Sequence, residues 1–276
     1  MVVAGITRSL LNSMPDWLLF IVIVGAVLVV SLLGLFFTRR YLAGLRDAAD
    51  AGVVVAITAI AMTLFAFVLA FGVVSLYDQF NEARDSVTGE ASDFAQVVRD
   101  SHNFPLENRQ DIQRAIRAYI LEVRNREFDL MHDGQDDPLA SARFTDIFHA
   151  VQRYEPKTQA QVAFYGSTVG QLNDAVTHRR ARRTLINAAL PRAYETLIIL
   201  TAIVSVLTTF FVVTHSRKLE DVLVASVAII VGAGLLTVLL LQYPFSGSVA
   251  VSSKPYVEGV LQCVVFPGRL TQDCGD

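Results

Sequence analysis

Four long apolar stretches without a charged residue constrain this chain more than any other feature. They cover residues 17–37, 51–77, 196–213 and 222–241. A helix rises about 1.5 Å per residue, so about 20 residues cross a hydrocarbon core of roughly 30 Å. We therefore predict an all-α membrane protein with four transmembrane helices arranged as two hairpins. A cleavable signal peptide is the alternative for the first stretch, but no short apolar core followed by a small-residue cleavage site is present.

The apolar stretches divide the chain into four predicted segments. These are an N-terminal transmembrane hairpin (1–77), a helical soluble domain (78–193), a C-terminal transmembrane hairpin (194–242) and a C-terminal tail (243–276). In "DIQRAIRAYILEV" the apolar residues recur at i, i+3, i+4 and i+7, the spacing of one buried helix face. They are Ile112, Ala115, Ile116, Tyr119, Ile120 and Val123. Breaks near Pro105, Pro138 and Pro156 separate the predicted helices of the soluble domain.

Basic residues flank the predicted spans on both sides. The connections within the two hairpins carry Arg39, Arg40, Arg46, Arg217 and Lys218. Basic residues in short loops favour the cytoplasm, and counting these five would place the soluble domain outside it. The segment "HRRARR" lies close to the third span on the other side, with Arg179, Arg180, Arg182 and Arg183. Charge alone does not choose between the two orientations.

The residues that usually carry catalysis or bind metals are scattered. The five histidines form no pair with metal-ligand spacing. The acidic segment "DGQDDP" (133–138) lacks the bidentate Glu of a calcium loop, so we predict a turn between helices. The segment "GSTVG" (166–170) lies within a helical pattern and fits close helix packing better than phosphate binding. We expect no enzyme activity, no cofactor, no metal and no nucleic-acid partner.

Two further features bear on the tail and on the fourth span. Cys263 and Cys274 would form a disulfide in an oxidising compartment or stay as free thiols in a cytoplasmic tail, and both alternatives remain open. In the fourth span Ala228 and Gly232 make a small-x-x-x-small pair, which predicts the close approach of a neighbouring helix.

The second apolar stretch runs without a proline into a polar segment, "FAFVLAFGVVSLYDQFNEARDSVTGE" (65–90). At about 100° per residue, one face of this helix changes from apolar to acidic along its length. The predicted pore and neck residues are Thr63, Phe67 and Val74 on this face and Phe71 on its border, and the predicted vestibule residues are Asp78, Asn81 and Asp85. In an oligomer, rings of phenylalanine would form an apolar constriction. The alternative is that these phenylalanines pack against other spans or lipid.

Several motifs resemble those of a known membrane family. "FVLAF" followed by "YDQFNEA", an "LP" before the third span and a "PFSG" block after the fourth are similar to the prokaryotic bestrophin-like family over roughly residues 15–262. The family motif residues are Pro244, Phe245, Ser246 and Gly247. The family is distantly related to bestrophin anion channels. No acidic cluster like the calcium clasp of animal bestrophins is present, so calcium gating is not implied.

The resemblance implies a multi-pass protein of the plasma (inner) membrane, surrounded by the lipid bilayer, with its helical domain in the cytoplasm. A tail on that side would keep Cys263 and Cys274 as free thiols, and on the resemblance we expect a reduced tail. It also implies a homo-oligomer, with a pentamer among the expected forms, and a pore lined by the second transmembrane helix. We therefore expect an ion channel for small anions. The basic segment 179–183 would concentrate anions at the mouth, whereas Asp78 and Asp85 would favour cations. The alternative is a non-conducting membrane sensor or scaffold whose helical domain binds a partner.

Overall fold

The computed structural model describes residues 8, 12–48, 50–214 and 216–267. This described part is helical and contains no β-strand. Its helices are α1 (Asp16–Tyr41), α2 (Ala43–Ala48), α3 (Ala51–Ser101), α4 (Leu106–Glu122), α5 (Phe128–His132), α6 (Pro138–Gln152), α7 (Gln159–Leu185), α8 (Arg192–Thr209), α9 (Arg217–Leu241) and α10 (Val260–Val265). A π-helical turn (Val123–Glu127) joins α4 to α5, and a 3-10 turn (Lys254–Val257) precedes α10.

Four of these helices are long and apolar enough to cross a membrane: α1, α3, α8 and α9. They overlap the four apolar stretches of the sequence, although α8 ends at Thr209, four residues before the end of the third stretch. Helix α3 has 51 residues and continues from the second stretch through the polar segment up to Ser101. Hydroxyl groups on its polar half donate to carbonyls one turn back, for example Ser86 to Glu82 at 2.7 Å. The helix ends where His102, Asn103 and Phe104 form a turn before Pro105.

The chain forms two compact units. The first contains residues 1–78 and 189–243, and the second contains residues 79–188 together with the segment from 244 onward. The described part of the predicted tail therefore belongs to the helical unit and does not stand apart. Its buried side chains in the core of that unit are Phe245, Val251, Tyr256, Leu261 and Val265. These residues lie mostly in turns and short helices, which have no periodic pattern to reveal burial in the sequence.

In the first unit, the apolar core joins α3, α8 and α9 through Phe65, Leu76, Ile198, Ala202 and Val231. Polar groups add hydrogen bonds between α8 and α3. Tyr194 Oη donates to the carbonyl of Val68 at 2.7 Å, and Ser205 Oγ donates to the carbonyl of Ala61 at 3.1 Å. Such bonds between apolar helices contribute about 0.6 kcal/mol each on average.

Helices α1 and α9 approach closely at Gly232, because a Cβ atom there would lie 3.1 Å from the Cα atom of Val24. Ala228, one turn earlier, is fully buried. The predicted small-x-x-x-small contact is thus confirmed. It lets the two helix backbones pack closely, as small residues do in membranes.

Charged residues also join the ends of these helices. The Glu220 carboxylate, in the first turn of α9, accepts from Arg39 Nη2 at 2.8 Å and from Arg46 Nη2 at 2.9 Å. The backbone N–H of Thr214 donates to the same carboxylate at 3.1 Å. Two of the basic residues in the hairpin connections are therefore held in ion pairs, and the end of α1 lies beside the start of α9.

In the second unit, the predicted buried face of α4 is confirmed. Ile112, Ile116, Tyr119 and Ile120 are fully buried, and Ala115 is partly buried against the same core. Aromatic rings from other helices pack on this face, with Phe94 5.2 Å from Tyr119 between ring centroids.

Two further expectations for this unit have opposite outcomes. The acidic segment 133–138 is a turn between helices, as predicted: Gly134 has φ 78°, and the Asp137 side chain caps α6 by accepting from the Leu139 N–H at 2.9 Å. The predicted close packing at "GSTVG" is wrong. The segment lies in α7, but a Cβ atom at Gly166 or Gly170 would meet no atom of the described residues within 4 Å.

Candidate functional site

Helix α3 has one packed face and one bare face in its apolar half. Phe65 and Leu76 are buried in the core of the first unit, and Gly72 lies against the side chains of Tyr194 and Ile198. At about 100° per residue, Thr63, Phe67 and Val74 point away from Phe65, on the opposite side of the helix. The predicted pore residues therefore lie on the face of α3 that the chain's own core leaves uncovered.

The exposure of the predicted residues agrees with this geometry. Phe67 is 61% exposed and Phe71 is 68% exposed within the single chain. Thr63, Val74, Asp78 and Asp85 are also exposed, and Asn81 is half-buried. The Thr63 hydroxyl donates to the carbonyl of Ala59 at 2.8 Å, so it presents mainly its methyl group to the outside. We call the seven residues Thr63, Phe67, Phe71, Val74, Asp78, Asn81 and Asp85 the α3 stripe.

Along the α3 stripe, the chemistry changes from apolar to acidic. Phe67 and Phe71 are one helical turn apart, about 6 Å along the axis. Asp78 follows within two turns and Asp85 after two more. A face of this kind can be covered by lipid at its apolar end only, because a carboxylate in hydrocarbon is costly.

A second cluster, which the sequence analysis missed, lies inside the helical unit. Arg182 on α7 has no exposed side-chain surface and forms ion pairs with Glu90 at 3.0 Å and Glu127 at 2.9 Å. Arg179, one turn earlier, forms an ion pair with Glu127 at 3.0 Å. We call Glu90, Glu127, Arg179 and Arg182 the buried charge network. Its two acids and two bases balance, so no net charge is buried.

Tyrosine hydroxyls complete the environment of this network. Tyr119 Oη donates to Glu90 and accepts from Arg179 Nη1 at 2.6 Å. Burial raises the pKa of Tyr119 and of Tyr256 well above the usual tyrosine value, so both phenols stay protonated. Burial by itself would lower the pKa of Arg182, but the negative charges of Glu90 and Glu127 raise it well above its ordinary value. The raised pKa values of Arg179 and Arg182 keep both guanidinium groups charged.

The buried charge network corrects the role expected for "HRRARR". Arg179 and Arg182 face the core, and only Arg180 and Arg183 of the four are exposed. Arg183 forms an ion pair with Asp136, with Nε 2.9 Å from Oδ1. Most of the positive charge that would have concentrated anions is thus paired. The sequence spacing indicates that these two arginines are buried. Leu172, Ala175, Arg179 and Arg182 lie on one helix face, at i, i+3, i+7 and i+10.

A histidine–aspartate pair lies next to the buried charge network. His178 Nδ1 is 2.8 Å from Asp93 Oδ2, across α7 and α3. The ring of His178 lies against Gly89, where a Cβ atom would be only 2.7 Å from ring atoms. Gly89 therefore permits the close approach of α7 to α3 at this point.

The "PFSG" block has a structural role in the helical unit. Ser246 Oγ donates to the carbonyl of His132 at 2.7 Å, and the Phe245 ring lies 6.1 Å from that of Phe128. The carbonyl of Pro244 accepts from Val251 N–H at 2.9 Å, and Gly247 has φ 78°, a value that favours glycine. The motif residues thus attach the segment after α9 to the helical unit.

Of the two cysteines, Cys263 lies within the described residues. Cys263 is disulfide-bonded in the structure, so the expectation of a reduced tail is wrong. Cys274, the other cysteine of the chain, lies outside the described residues, and its pairing stays a prediction. Among the described residues, no three potential ligands lie close enough together to hold a metal ion.

The described part of the chain is all-helical and has four apolar helices, one of which continues into a polar helical unit. This is the fold of a helical membrane protein. The Bestrophin-like domain model matches residues 9–256, and this chain therefore belongs to the bestrophin-like family. No curated protein matches it in sequence.

Solved structures share the fold. A crystal structure of a bacterial bestrophin homologue from Klebsiella pneumoniae has a TM-score of 0.70 at 12% identity, covering 91% of this chain and 99% of the other. A second crystal structure of a bestrophin homologue from that organism, solved by zinc phasing, has a TM-score of 0.68 at 14% identity, covering 90% and 97%. A third structure, of a membrane protein, has a TM-score of 0.68 at 14% identity, covering 91% and 99%.

The buried charge network predicts a strong effect of removing one cation. Replacing Arg182 with Gln leaves Glu90 and Glu127 buried with a single arginine, and we expect this to cost about 3–5 kcal/mol of stability. Replacing the exposed neighbour Arg180 with Gln should change stability by less than about 0.5 kcal/mol. Thermal unfolding of both variants in detergent measures the difference. Equal stability of the two would contradict the network.

Proposed function

We propose that several copies of this chain assemble around α3 and form a channel for small ions, with the α3 stripe facing the central axis. The observation that carries the proposal is the exposure of Phe67 and Phe71, neither of which packs against the core that buries Phe65. Membership of the bestrophin-like family supports it, because bestrophins are ion channels.

The acidic end of the stripe favours a pore over a lipid-facing helix. Asp78 and Asp85 continue the same face as Phe67 and Phe71. A lumen that is narrow and apolar at the phenylalanines and wet beyond them accommodates both ends of the stripe. Rings of Phe67 and Phe71 would act as a neck that gates by dewetting, and Thr63 and Val74 would flank it.

We further propose that α1 and α3 form one transmembrane hairpin and that α8 and α9 form the other. The ion pairs of Arg39 and Arg46 with Glu220 are consistent with this arrangement, because they bring the connection after α1 beside the start of α9, as two hairpins entering the membrane from the same side require. The assembly is a homo-oligomer, and a pentamer is the form that the resemblance to bestrophins implies.

Small anions are the permeant ions that the same resemblance implies. The apolar neck carries no charge and imposes no preference of its own. The vestibule opposes anions, since Asp78 and Asp85 are exposed and two of the arginines at 179–183 are buried in ion pairs. We therefore propose that the channel is weakly selective for anions, because Asp78 and Asp85 reduce its preference for them.

The proposed location is the plasma (inner) membrane, with the helical unit in the cytoplasm. The exposed Arg180, Arg183 and Arg192 near the start of α8 support this side. The basic connections of the hairpins and the disulfide at Cys263 point to the opposite orientation. Labelling of introduced cysteines in intact cells distinguishes the two orientations.

The first prediction concerns the neck. Replacing Phe67 and Phe71 with Ala widens the apolar constriction, so ion flux into liposomes should rise severalfold. The matched control replaces Phe36 and Phe37 of α1, which are also exposed on an apolar helix, and should leave flux unchanged. Unchanged flux in a folded Phe67→Ala/Phe71→Ala oligomer would show that these residues pack against other spans or lipid and do not form a gate. Absence of flux in every variant would favour the non-conducting sensor or scaffold.

The second prediction concerns the vestibule. Replacing Asp78 and Asp85 with Asn removes negative charge from the ion path, so the permeability ratio of chloride over potassium should rise by about twofold to fivefold, which corresponds to about 0.5–1 kcal/mol. The control replaces the exposed acids Asp129 and Glu258 of the helical unit in the same way. Reversal potentials in a salt gradient measure the ratio. If both pairs shift the potential equally, the stripe does not line the ion path.

The third prediction concerns orientation. In a variant with both native cysteines replaced by Ser, Arg117→Cys on the helical unit should react with an impermeant maleimide only after the cells are opened. Lys218→Cys, in the first turn of α9, should react in intact cells. Both positions are exposed in the structure. The reverse labelling pattern would place the helical unit outside the cytoplasm.

A further inference from the structure

A cavity of about 480 Å³ lies in the helical unit, away from the α3 stripe and the buried charge network. Its lining includes the first turns of α4 and α7 and the side chains of Arg153, Tyr154 and Lys157. The volume falls within the range of about 300–1,000 Å³ typical of small-molecule sites.

Two helix N-termini open onto this cavity. Helix α4 follows Pro105 without a side-chain cap, and its first intrahelical bond runs from Arg109 N–H to the Pro105 carbonyl. Among the described residues, no acceptor contacts the N–H groups of residues 106–108. In α7, Thr158 caps only the Gln161 N–H, at 3.2 Å. Free N–H groups and the helix dipole make such ends favourable for anions.

The charged side chains at the cavity are mainly basic. Arg153 and Lys157 are exposed, and neither forms an ion pair within the described part of the chain. Glu155 is the acidic lining residue, so the three charges sum to one positive charge. Together with the helix N-termini, this leaves the cavity attractive to a negatively charged molecule.

Tyr154 gives independent evidence of a missing partner. It lines the cavity, is only 5% exposed, and its hydroxyl has no hydrogen-bond partner in the described structure. The Phe104 ring, whose centroid is 4.4 Å away, holds the tyrosine ring in place. Burial raises the pKa of Tyr154, so its hydroxyl is protonated and available as a donor. A buried hydroxyl without a partner is costly, and a bound acceptor would remove that cost.

We propose that this cavity binds a small oxyanion from solution, a molecule that carries a phosphate or carboxylate group. The oxyanion accepts from the Tyr154 hydroxyl and from the free N–H groups of the two helix N-termini, while Arg153 and Lys157 balance its charge. This site is separate from the α3 stripe, and its occupancy does not depend on whether the oligomer conducts ions.

Titration calorimetry on the full-length protein in detergent, with pyrophosphate and with citrate as probes, tests the proposal. Replacing Arg153 and Lys157 with Gln should weaken binding at least about tenfold, because charge-assisted bonds are lost. The control replaces Arg117 and Lys254, which are also exposed, with Gln and changes the net charge equally. This control should bind as the unmodified protein does.

The variant Tyr154→Phe separates a ligand role from a structural role. We expect about tenfold weaker binding, whereas the thermal midpoint without ligand should not fall, since the hydroxyl has no partner in the chain to lose. Binding of either probe with this dependence on Arg153, Lys157 and Tyr154 supports the site. The proposal is overturned if neither probe binds at millimolar concentration, or if the cavity and control variants bind equally.

Discussion

Inside a bilayer no water is available to hydrogen-bond peptide groups, so a chain that crosses it must satisfy its backbone within each helix. This constraint shapes α3, which runs unbroken for 51 residues and contributes to both compact units. Because the helix does not break, one face can remain continuous from Thr63 to Asp85. The α3 stripe depends on this continuity, since any kink would rotate its two ends apart.

The helical unit is specified by charge as well as by apolar packing. Arg182 joins Glu90 on α3 to Glu127 after α4, so the network links three separate parts of the chain. Burying these four charges gains little stability compared with apolar residues, but breaking one pair is expensive. Any arrangement of the helices that separates the ion-pair partners is therefore destabilised. We infer that the network fixes the register of α7 against α3.

Local sequence patterns predicted the elements whose causes are local. Uncharged stretches located the four apolar helices, the α4 spacing located Ile112 and Ile116, and Gly232 marked the contact with α1. The network escaped prediction because Arg182 and Glu90 are 92 residues apart in sequence. The cavity beside Tyr154 escaped for the same reason, since two distant turns form it. The periodicity of the sequence predicted the α3 stripe as one helix face. It could not predict whether other copies of the chain cover this face, because that depends on contacts between chains.

The mass of the assembly tests the central claim most directly, because a pore lined by one helix per subunit needs several subunits around an axis. Native mass spectrometry from a mild detergent reports the number of 30.3 kDa chains in each particle. The channel account predicts a closed ring, with five chains as the expected number. A monomer or a dimer under conditions that preserve the fold would contradict it, because Phe67 and Phe71 would then have no axis to surround.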